Sequence, residues 1–182
     1  MHLPKILRLA LILLVATGIF SCVKDVDFDQ AGDISLQPEV QADLLIFEID
    51  QRDFIDPDTN RQRLTISDTV RLEFLDDDYV QKDLEKVEFS FKYRNTFPQT
   101  FSNRILFLSE NNQLQHEVIF ETVPGTAGRP EISEKHDTIE PPRIHVIKRS
   151  IKMVVEITAI SNSAPFTGTL NFESKGLFYF QF

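Results

Sequence analysis

The sequence predicts an all-β chain, an antiparallel sandwich of about eight strands over residues 43–182. The first observation is a period of two: Val87, Phe89, Phe91 and Tyr93 alternate with Glu88, Ser90 and Lys92, as a half-buried strand requires. Ile151, Met153, Val155 and Ile157 repeat the device against Lys152, Glu156 and Thr158. The third observation is punctuation. Asp56-Pro57-Asp58, Ser109-Glu110-Asn111-Asn112, Pro124-Gly125, Pro141-Pro142, Ser161-Asn162-Ser163 and Lys175-Gly176 are turn signals that cut the chain into short runs.

Taken in order, the chain begins with Lys5 and Arg8 ahead of an apolar run, residues 9–20, that ends Ile19-Phe20-Ser21-Cys22. A charged start, an apolar stretch and a small residue before the only cysteine read as a lipoprotein signal peptide, residues 1–21. The run is shorter than the roughly 20 residues that span a bilayer. Signal peptidase II would cut before Cys22, whose thiol takes a diacylglycerol and whose freed amine takes a third acyl chain. Two or three chains anchor stably where one does not. An uncleaved anchor or an ordinary secretory signal is the alternative, but a lone cysteine in an exported chain cannot form an internal disulfide.

Residues 22–42 read as an acidic tether. Asp25, Asp27 and Asp29 have the spacing of an EF-hand start, but Gln30 stands where the turn glycine belongs and Leu36 where the bidentate Glu belongs, which argues against that calcium loop. Lys24, Asp25 and Asp27 close behind the cysteine resemble the signal that carries Bacteroidota lipoproteins to the cell surface. Val23 differs from the Asp that retains lipoproteins in the inner membrane of enterobacteria. Both resemblances imply the outer membrane. Alternatively, the acids only keep a linker solvated.

Strands are expected at residues 44–49, 70–74, 87–93, 104–108, 114–121, 144–148, 151–157, 167–173 and 177–182. Residues 78–86, with Val80 and Leu84 four apart, read as a single short helix or a turn between strands. The end of the chain, with aromatics at 178, 180 and 182, resembles the last strand of an outer-membrane barrel. Short strands, the lack of Trp and a lipid anchor argue against a barrel, and Phe178, Phe180 and Phe182 are expected on the core face of a central sandwich strand.

The signal peptide removes two of the 19 basic residues and none of the 28 acidic ones, leaving 17 against 28, a net charge of −11. Such a balance argues against nucleic acid and against a basic membrane-binding patch, so membrane contact is expected through the acyl chains on Cys22 alone. No P-loop, nucleophile elbow or dinucleotide fingerprint occurs, and no cofactor is expected. His116, on an expected strand, and His136, in a polar loop, stand apart, as does His145, and none has metal-ligand spacing. The run Asp76-Asp77-Asp78 is a weak cation candidate, and more simply the first turn of the short helix, where acid suits the dipole.

The stretch Val87-Glu88-Phe89-Ser90-Phe91-Lys92-Tyr93-Arg94-Asn95-Thr96-Phe97-Pro98, followed by Phe101 and Arg104-Ile105-Leu106-Phe107-Leu108, resembles immunoglobulin-like lipoproteins of Bacteroidota and, more loosely, late-embryogenesis-abundant-type sandwiches. With Lys24-Asp25-Val26-Asp27-Phe28-Asp29-Gln30 it resembles a small lipoprotein family of flavobacteria. The resemblance implies an immunoglobulin-like sandwich and an envelope compartment, and transfers no functional residues.

The expected function is that of a lipid-anchored, non-enzymatic interaction module of the outer membrane, with an envelope protein as partner. A carbohydrate- or peptide-binding subunit of an uptake system is the second reading. It would use Phe97, Phe101 and Tyr179 as contacts if they face solvent. A carboxylate hydrolase is the third, and needs two converging acids.

Overall fold

The computed structural model describes residues 36–126 and 128–182. Eight strands form two antiparallel sheets: β1 (Glu39–Asp50), β2 (Thr65–Arg71), β3 (Leu84–Asn95), β4 (Thr100–Leu108), β5 (Leu114–Glu121), β6 (Glu131–Ile139), β7 (Lys152–Ile160) and β8 (Thr169–Phe180). One sheet runs β1-β8-β3-β6 and the other β2-β7-β4-β5. The all-β sandwich is therefore the architecture of the chain.

Its connectivity is specific. β1 pairs with β8, β2 with β7, β3 with β6 and β4 with β5. That is one long antiparallel hairpin, turning at residues 109–113, rolled up so that successive strands other than the β4–β5 pair at its tip fall in opposite sheets. This nesting is the double Greek key of a jelly roll, whereas immunoglobulin sheets are ordered ABED and CFG. Alternation and turn spacing dictate a sandwich without dictating which strands become neighbours. The immunoglobulin-like connectivity expected from the resemblance is corrected on that ground.

Alternation sets the inner faces. Phe89, Phe91 and Tyr93 of β3 point across the sandwich, where Phe89 meets Phe107 of β4 with ring centroids 4.6 Å apart and Tyr93 meets Phe120 of β5 at 5.7 Å. Nine Phe side chains are buried. At roughly 1.5–3 kcal/mol for each, they form the largest apolar contribution to the core. Phe178 and Phe180 face inward from β8, a central strand, while Phe182 lies beyond it and is exposed.

Several elements differ from expectation. β1 starts at Glu39, so residues 39–42 belong to the sheet and not to the tether: Glu39 to Ala42 pair with Tyr179 to Gly176. Residues 144–148 are not a strand; they hold α2 (His145–Lys148), whose Ile147 is fully buried, and β-branched composition alone misreads them. Only residues 78–83 of the expected helix are helical, as α1 (Asp78–Asp83); Leu84 already starts β3. Lys175-Gly176 is no turn. Gly176 lies within β8 because a Cβ there would come 2.6 Å from the Phe178 ring, the close approach that admits glycine to a strand interior. His136 is on β6, not in a loop.

The two ends of the sandwich differ. Residues 36–38, α1 and α2 lie at the end where β1 begins. The loops 51–64, 96–99, 122–130 and 161–168 lie at the opposite end.

Candidate functional site

A sandwich of two open sheets has two open sides, one between β1 and β2 and one between β5 and β6. Side chains close the second. His116 on β5 reaches across to β6, its Nε2 2.6 Å from Asp137 Oδ2, and Arg143 Nη2 lies 3.3 Å from its Nδ1. A guanidinium only donates, so Nδ1 accepts and Nε2 carries the proton that goes to Asp137.

The first side stays open. Between β1 and β2 lies a cavity of about 190 Å³ whose apolar lining is Phe47 and Ile49 of β1, Ile66 of β2 and Val155 and Ile157 of β7. Asp53, Arg63, Ser67 and Asp68 complete its wall. The loop beside it is fixed: Arg63 donates from Nε and Nη2 to the Asp53 carbonyl at 3.0 and 2.9 Å, and Asp53 Oδ2 accepts the Asp50 N–H at 2.8 Å. Arg52, hydrogen-bonded to Asp50, lowers the Asp50 pKa. Small-molecule sites usually occupy roughly 300–1,000 Å³. This one suits a single side chain.

β1 and β2 are edge strands, so each has backbone N–H and C=O groups directed away from its one strand neighbour among the described residues. β1 is the longer, 12 residues with Ile46 60% exposed. Unpaired backbone on one side and a side-chain-sized apolar cavity beneath it make an acceptor for an extended segment.

The residues singled out by the sequence fall elsewhere. Cys22, Lys24, Asp25 and Asp27 lie outside the described residues. Phe97 and Phe101 are 0% exposed, so the expectation that they contact a ligand is corrected. They pack with Phe54 and Phe166, Phe97 and Phe101 at 5.3 Å, because the loop at residues 96–99 turns Phe97 inward over the end of the core and alternation along β4 puts Phe101 on its buried face. Tyr179 is half-buried on the outer face, with Lys86 Nζ 3.8 Å above its ring. Desolvation and the neighbouring Glu88 raise its phenol pKa. Lys86 thus occupies the ring face a sugar would need.

Asp76, Asp77 and Asp78 are exposed, ending a 3-10 turn, preceding α1 and opening it. Consecutive positions there do not converge. No group of three or more His, Cys, Asp or Glu side chains able to hold a metal ion is present among the described residues, and no helix among them is long and apolar enough to cross a membrane.

The cavity lining escaped the sequence because Phe47 and Val155 read as ordinary strand positions, and Ile66 lies ahead of the strand expected at 70–74, whereas β2 begins at Thr65. What sets them apart is that rolling the hairpin leaves β1 and β2 unzipped.

No protein-family model matches the chain, and no curated protein matches it. Among solved structures the chain is similar to VP2 of the infectious bursal disease virus subviral particle, with 10% identity over 82% of this chain and 33% of that one at a TM-score of 0.40. It is also similar to a protein from Parabacteroides distasonis, with 14% identity over 61% and 36% and a TM-score of 0.43. A third is Desmodium yellow mottle tymovirus, with 9% identity over 80% and 88% and a TM-score of 0.35. The chain spans about a third of the length of the first two. These likenesses carry no functional inference.

Proposed function

We propose that this protein is a lipid-anchored, non-enzymatic interaction module of the outer membrane, which holds a protein partner at the open β1–β2 side of its sandwich. The observation that carries the reading is the place of the cleft. Phe47 and Ile49 lie eight and ten residues along β1 from Glu39, roughly 26–33 Å at 3.3 Å per residue. The cleft therefore lies at the end of the sandwich opposite the start of β1. An acidic tether gives it reach, and binding uses backbone pairing with one buried side chain, requiring no catalytic group.

The test is a quantitative mass-spectrometric pull-down of the lipidated protein from detergent-solubilised outer membranes, with Cys22→Ala as control. The wild type is expected in the membrane fraction with one envelope protein recovered stoichiometrically, and the variant in the soluble fraction without it. Recovery of nothing above the control, or equal membrane partition of the two forms, would sink the reading.

A further inference from the structure

Resting on that reading, we propose that the segment received by β1 is an extended strand alternating basic and apolar residues. β1 contains four acidic residues, Glu39, Asp43, Glu48 and Asp50, and no Lys or Arg. Register puts Glu39, Gln41, Asp43, Ile46 and Glu48 on the outer face, opposite Tyr179, Leu177, Lys175, Glu173 and Asn171 of β8. Lys175 is 3.7 Å from Asp43, Asn171 donates to Glu48, and neither Glu39 nor Glu48 has a Lys or Arg within ion-pair distance among the described residues. On the other face Phe47 and Ile49 line the cavity.

An added strand obeys the same period of two. Its outward side chains stand opposite or diagonal to Glu39, Asp43 and Glu48, where cross-strand pairs of opposite charge favour pairing and like charges oppose it. Its inward side chains reach the cavity of about 190 Å³, room for one apolar group. β2 is the poorer acceptor: it has seven residues, and its Arg71 is engaged by Glu73 and Glu110. A second copy of β1 is also disfavoured, because antiparallel self-pairing about Leu44 and Leu45 sets Glu39 against Asp50 and Gln41 against Glu48. The chain's own residues 23–35 carry Asp25, Asp27, Asp29 and Asp33 against one Lys24 and meet the same repulsion.

The test uses the full-length lipidated protein in a neutral detergent and fluorescent nine-residue peptides. One alternates Lys and Val, one alternates Glu and Val, one has the Lys–Val composition in blocks, and one is the alternating Lys–Val peptide N-methylated at every second residue. The alternating basic peptide is expected to bind about tenfold more tightly than the acidic one, from three favourable cross-strand pairs. Block order and N-methylation are expected to abolish binding. The exposed triple variant Glu39→Lys, Asp43→Lys, Glu48→Lys, its fold checked by circular dichroism, is expected to reverse the charge preference. Equal binding of both charges, indifference to N-methylation, binding of no peptide, or a wild-type dimer in sedimentation would each overturn the proposal. A stoichiometric envelope partner recovered alongside such a result would leave the anchored-module reading standing.

Discussion

His116 and Asp137 join the two sheets of the sandwich along one open side, Nε2 to Oδ2 at 2.6 Å, with the His116 side chain 9% exposed. Neither residue has meaning alone: β5 and β6 are the edge strands of different sheets, and the contact replaces backbone pairing that geometry forbids. Truncating His116 to Ala leaves the Asp137 carboxylate partly buried without its donor, a loss of about 1–3 kcal/mol. A double-mutant cycle with Asp137→Asn is expected to give a coupling energy of at least about 1 kcal/mol in urea unfolding. Additive losses would show that the contact contributes packing only. Long-range ¹⁵N–¹H correlation is expected to place the His116 proton on Nε2, as the Arg143 donor requires.

At the opposite end from the chain's entry, Gly125 is fixed by Asn95. The buried Asn95 side chain donates to the carbonyls of Gln99 and Val123, both at 2.9 Å, and accepts the Phe97 N–H at 2.8 Å. A Cβ on Gly125 would come 1.9 Å from the Asn95 carbonyl oxygen, itself held in β3. Gly125→Ala is therefore expected to cost about 3 kcal/mol or more, as disruption of a buried hydrogen-bond network does. The readout is the urea midpoint, and a variant within about 0.5 kcal/mol of wild type would contradict the argument.

What could be read in the sequence was periodicity, and what could not was pairing. β3 and β7 announce themselves because one face of each is apolar at every second position. β6, Glu131–Ile139, does not, since Ile132, Glu134, His136 and Thr138 face one way and only Ser133 and Ile139 are buried on the other. Such a polar sequence is how an edge strand resists adventitious pairing. The start of β1 is hidden for the same reason: Glu39 and Gln41 look like linker until β8 supplies their partners. The cleft could not be seen at all, because it lies between β1 and β2, edge strands of different sheets whose adjacency only the rolled hairpin decides.

The outer face of the β1-β8-β3-β6 sheet is a lattice of ion pairs, among them Lys86–Glu88 at 2.8 Å and Lys92–Glu134 at 2.7 Å. Hydrogen bonds from Lys86 and Lys92 lower the pKa values of Glu88 and Glu134 from the ordinary 4.5. A carboxylate with a lowered folded pKa stabilises the fold above its unfolded pKa, and that contribution is lost as pH falls through the folded value. Thermal melts are expected to show Tm level from pH 7 to about 5 and falling below about 4.5. The side chains are 41% and 43% exposed, so water and salt screen the pairs and the lattice share is small. Glu88→Gln with Glu134→Gln, or 1 M salt, is expected to flatten the acid limb slightly. An unchanged limb in both would assign acid sensitivity to other carboxylates.

Tyr93 presents the opposite case, a polar atom that stabilises nothing. Its ring stacks in the core 4.6 Å from Phe172 and 5.7 Å from Phe120, while its Oη is buried without a hydrogen-bond partner among the described residues. Desolvation raises its pKa well above the ordinary 10.0. Because the folded pKa is the higher, the folded phenol keeps its proton where the unfolded one ionises, so stability is intact below pH 10 and declines as pH rises beyond it. Tyr93→Phe removes the unpaired hydroxyl and keeps the ring. It is expected to stabilise the protein by about 1 kcal/mol at pH 7, with an unchanged urea m-value, and by more at pH 10.5, where the wild type also carries the loss due to Tyr93. A Phe variant that is less stable at pH 7 would show that the hydroxyl has a partner, and that the centre of this aromatic core is held by a polar contact as well as by packing.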